Sequence, residues 1–251
     1  MAKLPASLCG IAIALMFGLG RFAQAASMRP MGPVPLGDAS VRAAQESFDA
    51  CLQTMSGPAR ARFLDRSARR TPLTGRARSA WQRCRTLERD LDDAAAGVHL
   101  AHAISRLQPE PSAAAEAAQL AAALVAATRT TAERYRMLGS PLFNNFLIAL
   151  KVKKRGYCYH WTEALLKALP AERLRYFERR WGGANVGRAT ENNAVIITAR
   201  GAPVEAGIVY DAWRGAGRPW WRQVEADHYR WTERYSETEI LLGSAMAITT
   251  E

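Results

Sequence analysis

Apolar residues recur at helical spacing through the first half of the chain, up to about residue 152. The segment that begins at Asp38 illustrates the pattern, because its apolar residues fall on one face of a helix. These residues are Val41, Ala44, Phe48, Cys51 and Leu52. The sequence therefore predicts an amphipathic helix here, with Asp38 or Ser40 as its N-terminal cap.

Further helices are predicted before residue 139. Gly57 and Pro58 break the first helix and open a short second one, and a longer helix starts near Thr74. The alanine-rich segment after Ser112, its predicted cap, has high helix propensity and small side chains suited to close packing. An apolar stripe runs along this segment, at Leu120, Leu124, Tyr135 and Leu138.

The pattern changes after about residue 155. One more helix is predicted from Cys158, and beyond it β-branched and aromatic residues become frequent. The segments NAVIITA (193–199) and AGIVYDAW (206–213) predict strands, and RPWWRQVEADHYRW predicts a final strand or an ordered loop. Helices followed by one helix and several antiparallel strands indicate an α+β fold.

The first 25 residues have the pattern of a secretory signal peptide. Lys3 precedes the apolar stretch LCGIAIALMFGL, and Ala23-Gln24-Ala25 matches a cleavage signal. An uncleaved N-terminal anchor is the alternative, although the apolar stretch is short for a membrane span. We expect cleavage near Ala25, no remaining transmembrane span, and a periplasmic or secreted protein.

The predicted organisation beyond the signal peptide has four parts. A linker rich in proline and glycine covers 26–37, a helical region covers 38–138, a mixed domain covers 139–240 and a tail covers 241–251. The chain of 251 residues is 49% hydrophobic, which is the composition of an ordinary globular protein.

The chain is strongly basic, with a formal net charge of +11. No basic stripe interleaves with aromatic residues and no nucleic-acid motif occurs, so we expect no nucleic-acid partner. The charge predicts attraction to anionic envelope polymers or lipid headgroups. A general excess of arginine, without a specific partner, is the alternative.

Cleavage of the leader would leave three cysteines. In an oxidising compartment two of them are expected to pair. Cys51 and Cys84 lie in neighbouring predicted helices of one region, and they are the natural pair if their α-carbons come within bonding range. Cys158 would then be the odd thiol, which is either reactive or buried and inert.

Cys158 and Asp211 have the surroundings of catalytic residues. A thiolate at a helix N-terminus is stabilised by the positive end of the helix, and Lys153, Lys154 and Arg155 add positive potential. Asp211 ends the predicted strand GIVYDAW, where a carboxylate could orient an imidazole. A small core cysteine and an ordinary turn aspartate are the alternatives.

The strings RGYCYHW, ENNAVIITARG and GIVYDAWRGAGRPWW resemble a bacterial secreted branch of the transglutaminase-like and papain-like cysteine fold. The resemblance covers about residues 140–231. It implies a cysteine-bearing helix packed on an antiparallel sheet, with Cys158 as nucleophile and Asp211 as orienting acid. Asn192 stands where the family pattern has the catalytic histidine.

The resemblance implies a thiol hydrolase or acyltransferase acting on amide or ester bonds. Because an amide cannot take up a proton at neutral pH, Asn192 indicates a degenerate enzyme or a base recruited from elsewhere. The auxiliary candidates are His160, two residues past the cysteine, and His228. Asn144, with Asn145, is a further candidate, since papain-like sites use an upstream amide in the oxyanion hole.

No cofactor or metal site is predicted. His99 and His102 could share a helix face, but no further ligand accompanies them in the sequence. The C-terminal half is rich in tryptophans, which either build its core and rim or form a stacking platform. They are Trp161, Trp181, Trp213, Trp220, Trp221 and Trp231.

Three functional hypotheses remain from the sequence. The first is a secreted cysteine hydrolase or acyltransferase whose base is unidentified. The second is a non-catalytic descendant that binds a peptide, a protein or an envelope polymer in the same cleft. The third is a helical scaffold or interaction protein in which Cys158 is inert.

Overall fold

The computed structural model describes residues 39–65, 75–169 and 174–243. The predicted signal peptide, the linker and most of the predicted tail lie outside these residues. Among the described residues, 39–99 form one compact unit and 100–243 form another. Helix α3 (Gly75–Ser105) spans the limit between the two units.

The first unit is helical. Helix α1 (Ala39–Gln53) is followed by α2 (Gly57–Leu64) and by the N-terminal part of α3 (Gly75–Ser105). Pro58 lies in the first turn of α2, where its missing N–H costs no hydrogen bond. These three helices were predicted from the apolar spacing.

Cys51 and Cys84 form a disulfide between α1 and α3, as predicted. Their α-carbons are 5.6 Å apart. The disulfide lies in a small apolar core in which Phe63 is fully buried and contacts Trp81 edge to face at 4.9 Å. The covalent link therefore reinforces a core that is small for its number of helices.

The second unit combines helices with one antiparallel sheet. The helices are α4 (Ala113–Arg134), α5 (Pro141–Ala149), α6 (Cys158–Ala168) and α7 (Glu237–Leu241). The strands are β1 (Phe177–Ala184), β2 (Asn192–Ala199), β3 (Ile208–Tyr210), β4 (Trp221–Gln223) and β5 (Trp231–Tyr235). Their order in the sheet is β4-β3-β2-β1-β5, and every pair is antiparallel. The predicted α+β class is confirmed.

Strand β2 is the centre of this unit. All of its residues except the last are buried, and α6 packs against it while α4 packs against α6. Gly182 on β1 makes room for the side chain of Ile196, since a β-carbon there would lie 2.5 Å from it. The sheet and two helices thus hold the start of α6 beside the start of β2.

A carboxylate of α4 anchors the first strand. Glu116 accepts backbone hydrogen bonds from Arg175, Tyr176 and Phe177, at 2.8 to 3.0 Å. These N–H groups lead into β1 and would otherwise need another acceptor. The contact ties α4 to the sheet, which explains why this helix belongs with the second unit.

Some local predictions need correction or completion. Ser112 precedes α4 as expected, but its hydroxyl bonds Glu110 and Tyr176 and does not cap the helix. The segment predicted as a final strand or a loop contains β4 and leads into β5, and the short α7 was not predicted. No helix among the described residues is long and apolar enough to cross a membrane.

We predict that reducing the Cys51–Cys84 disulfide destabilises the helical unit by about 3–4 kcal/mol. The bond joins residues 33 positions apart, and a cross-link of that span restricts the unfolded chain by about this amount. Guanidinium unfolding followed by circular dichroism, with the C51S variant and with reductant, measures the change. The C158S variant is the matched control, because it removes a thiol without removing the disulfide. If reduction left the unfolding transition of the helical unit unchanged, the prediction would be contradicted.

Candidate functional site

Cys158 is the first residue of α6, and its side chain is fully buried. The backbone reaches it through Gly156, whose φ of +134° is a conformation that other residues rarely adopt. The imidazole of His160 accepts the N–H groups of Gly156 and Tyr157, at 3.2 and 3.3 Å. This capping arrangement starts the helix at the cysteine and fixes the position of its sulfur.

The start of β2 surrounds the Cys158 sulfur. The thiol donates to the carbonyl oxygen of Glu191, and the side-chain amide of Asn193 donates to the sulfur, both at 3.7 Å. The thiol is therefore in contact with one acceptor and one donor. Neither of these groups can accept a proton at neutral pH, since one is a backbone carbonyl and the other an amide.

Asn192 opens β2 and points to the carboxylate that follows β3. Its side-chain nitrogen donates to Oδ2 of Asp211 at 2.8 Å, and its side-chain oxygen accepts the N–H of Asn193 at 2.9 Å. Asn192 and Asp211 are both buried. The structure thus links the three predicted site residues: Asn192 contacts Asp211, and its neighbour Asn193 contacts Cys158.

Asn193 is the site residue that the sequence interpretation missed. Its amide nitrogen also donates to the carboxylate of Glu191 at 3.0 Å, and its oxygen accepts from Trp181 at 2.7 Å and Arg234 at 2.9 Å. Every polar atom of this side chain is therefore engaged. The signal available in the sequence was the adjacent pair of amides in ENNAVIITA.

A buried ion-pair network supports Asp211. Arg214 donates to it through its backbone N–H at 2.9 Å and its Nε at 2.7 Å, and binds Asp227 through both terminal nitrogens. The guanidinium lies 3.7 Å from the ring centre of Trp220. Burial raises the pKa of Asp211 above its ordinary value, whereas Arg214 acts to lower it.

Asp227 and Tyr229 are two further titratable residues beside Arg214. Burial acts to raise the pKa of Asp227, but the hydrogen bonds from Arg214 and Trp231 outweigh it and hold the pKa at about 2. Burial raises the pKa of Tyr229, Arg214 acts to lower it, and the negative charge of Asp211 acts to raise it.

The auxiliary candidates occupy other positions. The imidazole of His160 is used as a helix cap, and burial lowers its pKa to about 4, so it is neutral at pH 7. His228 is 68% exposed and lies 3.0 Å from Asp227. Asn144 is buried in hydrogen bonds to Leu138 and Ser140.

The described residues contain no cluster of three or more histidine, cysteine, aspartate or glutamate side chains that could hold a metal. The pair His99 and His102 lies within these residues. The tryptophans Trp220 and Trp231 belong to the core on one face of the sheet. Trp161 and Trp181 are also buried.

Comparison with family models, with curated proteins and with solved structures finds no match. The chemistry of the site therefore has to be inferred from its own contacts. Those contacts place a thiol at a helix start, two side-chain amides and a carboxylate in one hydrogen-bonded cluster. None of the hydrogen bonds described above for Cys158, Asn192 and Asp211 involves a histidine.

We predict that Asp227 makes stability fall in acid. Its pKa is about 2 in the folded protein and ordinarily 3.8, so its contribution of about 2 kcal/mol is present above pH 4 and is lost as pH falls through 2. Urea unfolding of wild type and D227N should therefore converge between pH 5 and pH 2. The unfolding free energy of E205Q, a change at an exposed carboxylate, should follow that of wild type at every pH. A difference between D227N and wild type that stayed constant from pH 5 to pH 2 would contradict the prediction.

Proposed function

We propose that this chain is a secreted or periplasmic protein of the transglutaminase-like and papain-like type, whose thiol site binds an acyl group without turnover. The observation that carries the proposal is the 2.8 Å hydrogen bond from Asn192 to Asp211. In a cysteine triad, an imidazole stands between the thiol and the carboxylate. Here an amide makes the bond to the carboxylate.

An amide in place of an imidazole keeps the hydrogen-bond donor to Asp211 but loses the group that accepts a proton. Asn192 donates to Asp211 as an imidazole N–H would, so the buried carboxylate keeps its hydrogen bond. It cannot accept the thiol proton or return it to a leaving group. General acid–base catalysis contributes about 10²–10⁴-fold to such reactions, and this contribution is absent.

The alternative bases near the site are already engaged. Asp211 is fully buried and holds Arg214 and Asn192. His160 caps the helix through the nitrogen that accepts backbone N–H groups. These contacts favour a degenerate enzyme over one with a recruited base, and they favour binding over hydrolysis or acyl transfer.

The binding chemistry follows from what the site retains. The N-terminus of α6 carries the positive end of the helix, which favours a carbonyl oxygen or a carboxylate. The amide of Asn193 is already engaged with the sulfur and with Glu191, so the donors left for a ligand are the backbone N–H groups in the first turn of α6. A peptide, a protein segment or an envelope polymer with acyl groups fits this set of donors.

The proposed location rests on two features of the chain. The pattern of residues 1–25 is that of a signal peptide. The disulfide between Cys51 and Cys84 supports an oxidising compartment, because such bonds persist there and are rare in the cytosol. The cytosolic alternative would require an unusual stable disulfide.

We predict that N192H gains Cys158-dependent acyl chemistry. An imidazole at this position would take the thiol proton while Asp211 orients it, and turnover of p-nitrophenyl acetate should rise by about 10²-fold over wild type. The alkylation rate of the thiol by iodoacetamide should also increase at mildly acidic pH, because the thiolate forms at lower pH.

Two variants control this experiment. N192Q keeps an amide and should gain nothing, whereas N192H combined with C158S should lose the acquired activity. Wild-type turnover that already depends on Cys158 would favour the active hydrolase or acyltransferase. Failure of folded N192H to gain activity would remove the cysteine-triad interpretation.

A further inference from the structure

Helix α5 exposes its apolar residues, whereas a surface helix of a globular protein normally buries them. Its outward face is apolar and its inward residues include two amides, Asn144 and Asn145. A helical projection places the outward residues on one arc of about 120°. They are Leu142, Phe143, Phe146, Ala149 and Leu150.

The exposure of this face is large. The exposed fractions of Leu142, Phe143, Phe146 and Leu150 are between 40% and 63%, and Val152 just beyond the helix is 69% exposed. A contiguous exposed apolar patch of this kind marks an interaction site, whereas single exposed apolar residues are ordinary. No charged residue interrupts the face.

Ile148 is buried on the inward face of the helix, and polar contacts with the segments directly before and after the helix hold Asn144 there. Asn144 accepts the N–H of Leu138 and donates to the carbonyls of Leu138 and Ser140. Lys153 reaches back to the oxygen of Asn144 and to the carbonyl of Arg136. Because these bonds hold α5 from inside, its apolar face is left for an external partner.

The surroundings of the face are exclusively cationic along the chain. Between residues 134 and 162 there are six lysines and arginines and no aspartate or glutamate. Lys151 and Lys154, directly beyond the helix, are exposed beside Val152. Lys151 has a φ of +59°, the left-handed conformation in which helices commonly end.

We propose that the face defined by Leu142, Phe143, Phe146, Leu150 and Val152 docks onto an anionic lipid surface. Aliphatic and phenyl side chains enter the boundary between headgroups and acyl chains, while lysines at the edge reach the lipid phosphates. A bilayer needs no matching hydrogen-bond groups, and this face offers none. The combination of an uninterrupted apolar arc and the exposed Lys151 and Lys154 directly beyond it favours anionic lipid over a protein partner.

A fluorophore at position 143 tests the proposal directly. The F143C variant of the full chain, which also carries C9S and C158S, is labelled with a nitrobenzoxadiazole dye; Cys51 and Cys84 are paired, so labelling is selective. Vesicles of phosphatidylcholine and phosphatidylglycerol at 7:3 should shift the emission to the blue and increase it several-fold. Phosphatidylcholine vesicles alone, or added salt, should give a much smaller change.

Matched variants separate local insertion from other binding. The dye on V186C, an exposed apolar site outside α5, should not respond. In the labelled F143C background, K151Q with K154Q should weaken partitioning about 30-fold, at about 1 kcal/mol for each charge. The pair R188Q and R222Q removes two exposed cations elsewhere and should leave partitioning unchanged.

Three outcomes would overturn the proposal. The dye at position 143 could fail to respond to anionic vesicles while the chain remains folded by circular dichroism. It could respond equally to neutral and anionic vesicles, which would remove the role of the headgroup charge. It could respond to protein concentration without lipid, which would assign the face to a second copy of the chain.

Discussion

The buried carboxylate of Asp211 imposes the main constraint on the second unit. A carboxylate removed from water needs a counter-charge and hydrogen-bond donors, and Arg214 and Asn192 supply them. Arg214 itself is buried and divides its donors between Asp211 and Asp227, with Trp220 against its planar face. The end of β3, the turn after it and the segment before β5 are held together by this network.

Under the function proposed above, this constraint explains how proton-transfer chemistry can be lost without loss of the fold. An amide at position 192 satisfies the carboxylate as a hydrogen-bond donor, so the buried charge is no worse compensated than with an imidazole. Asn193 likewise keeps the sulfur of Cys158 beside β2. Stability and geometry depend on donors, whereas turnover depends on a group with an accessible pKa.

Much of the architecture could be predicted because it depends on local periodicity. The spacing of Val41, Phe48 and Cys51 predicts α1, and the Cys51–Cys84 disulfide follows from two adjacent helices. The roles of Asn193 and Arg214 could not be predicted, since they arise from contacts between strands and turns that are distant in sequence. The clustering of Cys158, Asn192 and Asp211 was expected only from the family resemblance, and which amide contacts which partner depends on strand register.

Helix α5, whose apolar face is exposed, shows that apolar periodicity alone does not tell which face of a helix is buried. Its apolar arc would be assigned to the core by spacing, because apolar faces of surface helices are normally buried. The inward position of Asn144 is stabilised by three backbone hydrogen bonds and by Lys153, whose pKa burial lowers. Lys153 also precedes the Gly156 turn that leads into Cys158. The polar contacts that turn the apolar face outward are therefore made by the same segment that positions the start of α6, so both features depend on one short stretch of chain.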